Sequence, residues 1–236
     1  MTSVHTQYHP DDNLLMEFSA GILDTAQAIA ISAHLHYCPR CRSKVEDMNT
    51  IGAALFSMAE QPTSAEAMDI EGQTHKTLSF DALMKTIEHN DKVSTEAAND
   101  TLTLPVQYSG YPKVVQKMLA QQKLSWKRIT SGLKAANLVS GQHKYGVYLQ
   151  RIEAGCQVPE HDHRGDEITV VLRGSISDED GVYHTGDFIF KAEGDVHSPR
   201  ASNNEECLCL SIQQAPVKLT GVWGRFINPL LRINAI

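Results

Sequence analysis

The spacing of apolar residues changes character along this chain. Up to about residue 90 it is helical. Leu14, Leu15 and Phe18 share one face over 12–20, and a second helix runs from a cap at Asp24 or Thr25 to about Tyr37. Pro39 then opens a third helix, since the first turn tolerates a residue without an N–H. That helix reaches Met58, with Val45, Met48, Ile51, Leu55 and Met58 three or four residues apart. Residues 60–77 are polar and mixed and predict a loop. Ser79 is placed to cap a fourth short helix holding Phe80, Leu83, Met84 and Ile87.

Residues 91–103 are rich in Ser, Thr, Asn, Asp and Glu without apolar periodicity, the pattern of a linker. One more helix is predicted over 112–123. From Trp126 onward, short apolar runs (145–152, 168–172, 188–190 and 207–212) alternate with glycines, which predicts an all-β sandwich or barrel. The expected organisation is a two-domain α + β chain: a helical domain over 1–90, a linker over 91–104 and an all-β domain over 105–236. A helical piece of that size buries little apolar surface by itself and needs further stabilisation.

The net charge of −7 and the lack of a basic stripe argue against direct binding of nucleic acid, which relies on clustered Lys and Arg. The mildly basic stretch 113–134 is interleaved with apolar residues, as on an ordinary solvated face. The first twelve residues are polar and carry no signal core, and the longest apolar runs, 26–31 and 168–172, are far too short to span a membrane. A cytoplasmic protein with no membrane partner is expected. The five unevenly placed cysteines make no disulfide framework, so Cys38 and Cys41 stay available as thiolates for a metal.

His34, Cys38 and Cys41 form H-x3-C-x2-C. Residues 34 and 38 lie one helical turn apart on a common face, and the break at Pro39 lets Cys41 curl back toward them. Three such ligands suit tetrahedral zinc, which needs a fourth. His9, just before the first helix, is the preferred candidate, with His5 and His36 as competitors. Four protein ligands leave no open position, so the site is structural. Two buried cysteines without metal are the plainer alternative, weakened by the helix-phased histidine.

The second constellation lies in the β half. Residues 155–174 spell G-x5-H-x-H-x3-E-x6-G, and residues 186–197 spell G-D-F-I-F-K-A-E-G-D-V-H. Alternate strand residues share a face, so His161 and His163 project together. Glu167 follows after a turn at 164–166, and His197 returns on a later strand. Three imidazoles and a carboxylate in a small barrel suit a first-row divalent metal, with zinc preferred over manganese or iron. The plainer alternative, surface histidines, does not explain the phased glycines.

These two blocks resemble the paired motifs of the cupin superfamily. The first matches at every defining position. The second has Ala192 where proline is usual and Ala201 where asparagine is usual, which puts its turn geometry in doubt but spares the ligands. The resemblance implies a six- to eight-stranded double-layer barrel (a jelly roll) with ligands His161, His163, Glu167 and His197. A helical H…H-x3-C-x2-C domain followed by a minimal cupin resembles the ChrR family of zinc-binding anti-sigma factors. It does so along nearly the whole chain, from His9 through the Cys207 and Cys209 strand. That likeness implies zinc ligands at His9, His34, Cys38 and Cys41. It also implies that the N-terminal helices sequester an extracytoplasmic-function sigma factor, and that the cupin responds to oxidants such as singlet oxygen or organic peroxides.

Cys207 and Cys209 fit that picture as oxidant targets, although small hydrophobes on one face of a core strand are the simpler account. Cys156 is incidental, and His143 and His184 are surface turn residues. Two rivals differ in class. A metal-dependent cupin enzyme of dioxygenase or isomerase type needs an open coordination site and substrate-directing groups, and no second carboxylate or Arg cluster points to them. A DNA-binding zinc finger needs base-reading side chains, and Arg40, Arg42 and Lys44 are the only local cations. A regulator rather than an enzyme is expected.

Overall fold

A computed structural model describes residues 6–58, 108–139, 144–215 and 218–219. The predicted loop over 60–77, the fourth helix over 79–87, the linker and the boundary at 90 lie outside these residues, as do His5, His75, His89 and His143. The chain divides into two compact units, Met1–Gly52 with Leu104–Ile236, and Ala53–Thr103. Of the second, only the end of one helix is described.

In the first unit, α1 (Asp12–Ser19) is capped by Asp11, whose carboxylate accepts from the Leu14 N–H at 2.7 Å. Helix α2 (Thr25–Tyr37) begins after Asp24. That residue occupies the cap position without a side-chain cap bond, because its carboxylate instead meets Lys144 Nζ at 2.7 Å. Helix α3 (Pro39–Met58) follows directly. Among the described residues Val45 is buried, whereas Ile51 and Leu55 are 60% and 63% exposed and Phe56 is 83% exposed. The helix expected over 112–123 is shorter, α4 (Lys113–Ala120). It stops where the Gln122 side chain turns back, donating to the Met118 carbonyl and accepting from the Val139 N–H.

Twelve strands are described. Six form one antiparallel sheet in the order β1 (Trp126–Arg128), β2 (Leu133–Leu138), β3 (Gly146–Ile152), β11 (Cys207–Gln213), β5 (Glu167–Arg173) and β8 (Phe188–Lys191). Two three-stranded sheets complete the cupin fold. One runs β10 (Arg200–Ala201), β6 (Ser175–Asp178), β7 (Gly181–His184); the other runs β12 (Lys218–Leu219), β4 (His161–Asp162), β9 (Val196–His197).

Strand alternation explains the layering. Leu208, Leu210 and Ile212 of β11, with Ile168, Val170 and Leu172 of β5, leave the barrel on one side. There they share a core with Leu15, Ala26, Ala30 and Ile31 of α1 and α2 and with Val115 and Leu119 of α4. Cys207 and Cys209 face the other way, into a second core with Val171, Ile176, Tyr183 and Ile189. The centre of the large sheet, β11 and β5, is thus buried on both faces, and the helices are its outer cover.

Candidate metal centres

The first cluster forms where α2 ends. Cys38 is the C-cap, with extended backbone that breaks the helix, and its N–H bonds to the His34 carbonyl at 3.0 Å. Pro39 restarts the chain as α3, and the Cys41 N–H donates to Cys38 Sγ at 3.4 Å. His9 arrives on the segment preceding α1. Its Nδ1 lies 3.4 Å from Cys38 Sγ and 3.5 Å from Cys41 Sγ. The candidate ligand atoms of His9, His34, Cys38 and Cys41 all lie within 4.8 Å of one another. His36, one of the competitors, is exposed and packs its ring on Tyr37 instead.

The barrel fixes this cluster. The His34 Nδ1–H donates to the Gly186 carbonyl at 2.8 Å, which turns the other nitrogen, Nε2, inward without a hydrogen-bond partner. The Gln7 and Tyr8 N–H groups donate to Asp187 Oδ1 at 2.6 and 3.1 Å, and the Phe188 N–H donates to the Tyr8 carbonyl at 3.1 Å. Burial holds His34 neutral, lowering its pKa to about 4 against the opposing pull of the Gly186 carbonyl. Burial, then the neighbouring Cys38, pushes the Cys41 thiol up to about 12. A neutral imidazole with an orphaned inward nitrogen beside two buried sulfurs is a donor set suited to a divalent metal, whose charge would expel the thiol protons.

The second cluster lines the barrel. His161 and His197 pair across β4 and β9, and their Nε2 atoms lie 3.1 Å apart. His163 follows β4, and Glu167 opens β5 after the turn. Candidate ligand atoms of all four residues again lie within 4.8 Å of one another, and all four residues are buried. Each imidazole is oriented through Nδ1: His161 to the Pro159 carbonyl at 2.8 Å, His163 to Glu167 Oε2 at 3.2 Å, and His197 to Asp178 Oδ2 at 3.1 Å. His163 Nε2 is buried with no partner. Such Nδ1 anchoring is what orients metal-binding imidazoles.

Glu167 Oε1 accepts from Ser211 Oγ at 2.5 Å and Gln213 Nε2 at 3.0 Å. Burial alone would raise its pKa, but His163 and these two donors hold it down and keep it anionic. Burial keeps His163 neutral, near 4, and lowers His197 as well. Three histidines around a supported carboxylate, two of them held neutral by burial, form a donor set ready for a cation.

Ala192 and Ala201 leave the second motif intact. The Ala192 N–H donates to Asp195 Oδ2 at 2.8 Å and closes the turn without proline, while Ala201 pairs with Ile176. Cys207 and Cys209 are buried with Sγ atoms 3.6 Å apart. Sequence reasoning passed over Ser211 and Gln213, although their two-residue step from Cys209 places them on the same inward face. It also passed over Asp178, whose polar strand gave no signal.

Comparisons with known proteins bear on the fold and the family. Residues 115–217 match the family model described as the ChrR cupin-like domain. The anti-sigma-E factor ChrR of Cereibacter sphaeroides is 26% identical over 227 residues, which is 96% of this chain and 99% of that protein. The crystal structure of Rhodobacter sphaeroides SigE in complex with the anti-sigma ChrR superposes with a TM-score of 0.63 at 24% identity, covering 89% of this chain and 99% of the matched one. That superposition supports the fold.

Proposed function

We propose that this chain, whose residues 115–217 match the family model described as the ChrR cupin-like domain, is a zinc-dependent anti-sigma factor. Its N-terminal helices, nominally residues 1–90, sequester an extracytoplasmic-function sigma factor, and its cupin, residues 105–236, releases that partner in response to singlet oxygen or an organic peroxide. The observation that carries this reading is the pairing of a sulfur–nitrogen cluster at a helix junction with a histidine–carboxylate cluster in a barrel, in a chain aligned to ChrR along 96% of its length.

His9, His34, Cys38 and Cys41 hold a structural zinc, because two sulfurs and two imidazoles fill a tetrahedron. His161, His163, Glu167 and His197 hold a second divalent metal, zinc by preference. The protein acts as a regulator in the cytoplasm rather than as an enzyme. Among the described residues no helix is long and apolar enough to cross a membrane.

The exposed apolar residues of α3, Ile51 and Leu55 with Phe56 beside them, offer the sigma factor an apolar surface of the helix-in-groove kind. Moving a partner from 1% to 99% free takes about 5.5 kcal/mol of differential binding. Losing a structural zinc, worth roughly 10–16 kcal/mol in small zinc peptides, covers that demand.

The test is co-expression with a sigma factor of that class. The expected result is a 1:1 complex carrying two metals per chain, weakened by Leu55→Ser with Phe56→Ser and dissociated by singlet oxygen. A chain that retains its metals yet captures no such sigma factor overturns the proposal.

A further inference from the structure

The two clusters are joined by a short run of side chains, and we infer that Tyr8, Tyr183 and Asp178 make the barrel centre a control on the helical one. The inference rests on both clusters binding metal as proposed above. The side chain of Asp178 is buried near the end of its hairpin and is fully engaged. Its Oδ2 accepts from His197 Nδ1 at 3.1 Å and lies 3.1 Å from Lys191 Nζ. Its Oδ1 accepts from the Tyr183 hydroxyl and from the Asp180 N–H, each at 3.0 Å. One carboxylate therefore sets both the rotation of a barrel ligand and the position of an aromatic ring.

That ring reaches the other cluster. Tyr183 packs on Tyr8 with centroids 4.5 Å apart, and Tyr8 is bonded directly to His9. The Tyr8 hydroxyl end lies over Gly181, where a Cβ would collide with it. Gly181 pairs with Asp178 at the end of the β6–β7 hairpin. The segment carrying His9 is thus seated on the hairpin that orients His197.

His34, Cys38 and Cys41 are held by a helix junction and a buried core. His9 is half-buried, and its segment is placed by the bonds of Gln7 and Tyr8 to Asp187 and Phe188 together with the seat under the Tyr8 ring. A metal in the barrel pins His197, hence Asp178, Tyr183, Tyr8 and finally His9. Losing that metal frees the first of these and loosens the last. Asp178 and Tyr183 are accordingly positioning residues for both centres. Because coupling between sites is reciprocal, each metal strengthens the binding of the other.

Cobalt(II) is a suitable probe on the metal-stripped full chain, because thiolate ligation gives a charge-transfer band at the helical cluster alone. Titrations are compared for the native chain, His197→Ala, Tyr183→Phe, Tyr8→Ala and the double variant Tyr8→Ala with His197→Ala. The expected result is that His197→Ala lowers cobalt affinity at the thiolate band about fivefold or more, the lower end of typical coupling. Tyr8→Ala should abolish that difference, so that adding His197→Ala to it changes nothing further.

Equal affinity in the native chain and His197→Ala overturns the inference, as do fully additive effects in the double variant. Should His197→Ala fail to fold, Tyr183→Phe decides. It keeps the ring, loses only the bond to Asp178 and touches neither cluster, yet it should weaken the thiolate band about fivefold; unchanged affinity refutes the coupling. Absence of a thiolate band in the native chain would instead strike the metal reading itself.

Discussion

The imidazole of His34 donates its Nδ1 hydrogen to the carbonyl oxygen of Gly186 at 2.8 Å, although 152 positions separate the two residues. A ligand candidate supplied by the helices is therefore aimed by a glycine of the barrel. Gly186 has φ +94°, and a Cβ on it would stand 2.6 Å from Tyr37 Cβ and 2.7 Å from Thr6 Cγ2. Both the backbone conformation and the close approach require glycine.

Replacing Gly186 with alanine should destabilise the chain by about 1–3 kcal/mol from the backbone conformation alone, with the clash adding to it. It should also weaken metal binding at the helical cluster. Urea denaturation and metal content measure the two effects, and a variant of native stability would contradict this account of the position.

The helices and the large sheet share a core around Leu210, which is fully buried. Leu210→Ala should cost about 2–5 kcal/mol. Because the lost contacts belong to helices and sheet together, calorimetry should still show one transition, moved to lower temperature. Two separated transitions would mean that the shared core does not couple them.

Much of this was legible beforehand. The predicted segments 25–37 and 39–58 match α2 and α3, and the four predicted strands fall on β3, β5, β8 and β11, because each carries enough apolar residues to show its period. The sequence-predicted clusters also converge, His9 included. Strands β4, β9, β10 and β12 have two residues each, too few to show any period, and β6 is polar. Such strands exist because neighbouring strands pair with them, which is tertiary information. The stripe on α3 shows the opposite failure. Periodicity reveals that a face is apolar but not what covers it, so the exposure of Ile51 and Leu55 was out of reach.

Acidification should destabilise the metal-stripped protein. His34 and His163 have folded pKa values of about 4 against an ordinary 6.5, so the unfolded chain takes up protons first as pH falls. Their contribution is complete above pH 6.5 and declines progressively toward pH 4. The urea midpoint should therefore drop between these limits, and a midpoint that rises would show that these imidazoles are not held neutral.

Chelation should change thiol reactivity in a fixed order. In the metal-loaded chain the half-buried Cys156 should react first. Removing metal should then admit Cys38 and, more slowly because burial holds its thiol protonated, Cys41, whose cluster depends on the half-exposed His9 segment, while Cys207 and Cys209 stay protected inside the barrel. Peptide mapping after alkylation identifies the labelled sites. Early labelling of Cys207 would point to a barrel that opens before the helical cluster does.

Strand β11 gives Leu208, Leu210 and Ile212 to the helices, and Ser211 and Gln213 to Glu167. A slip of a single residue along this strand would exchange the two sets, presenting leucines to the carboxylate and polar groups to the helices. Point replacements here remain survivable, but a codon gained or lost within Cys207–Gln213 would wreck both faces at once, so length is guarded more strictly than composition.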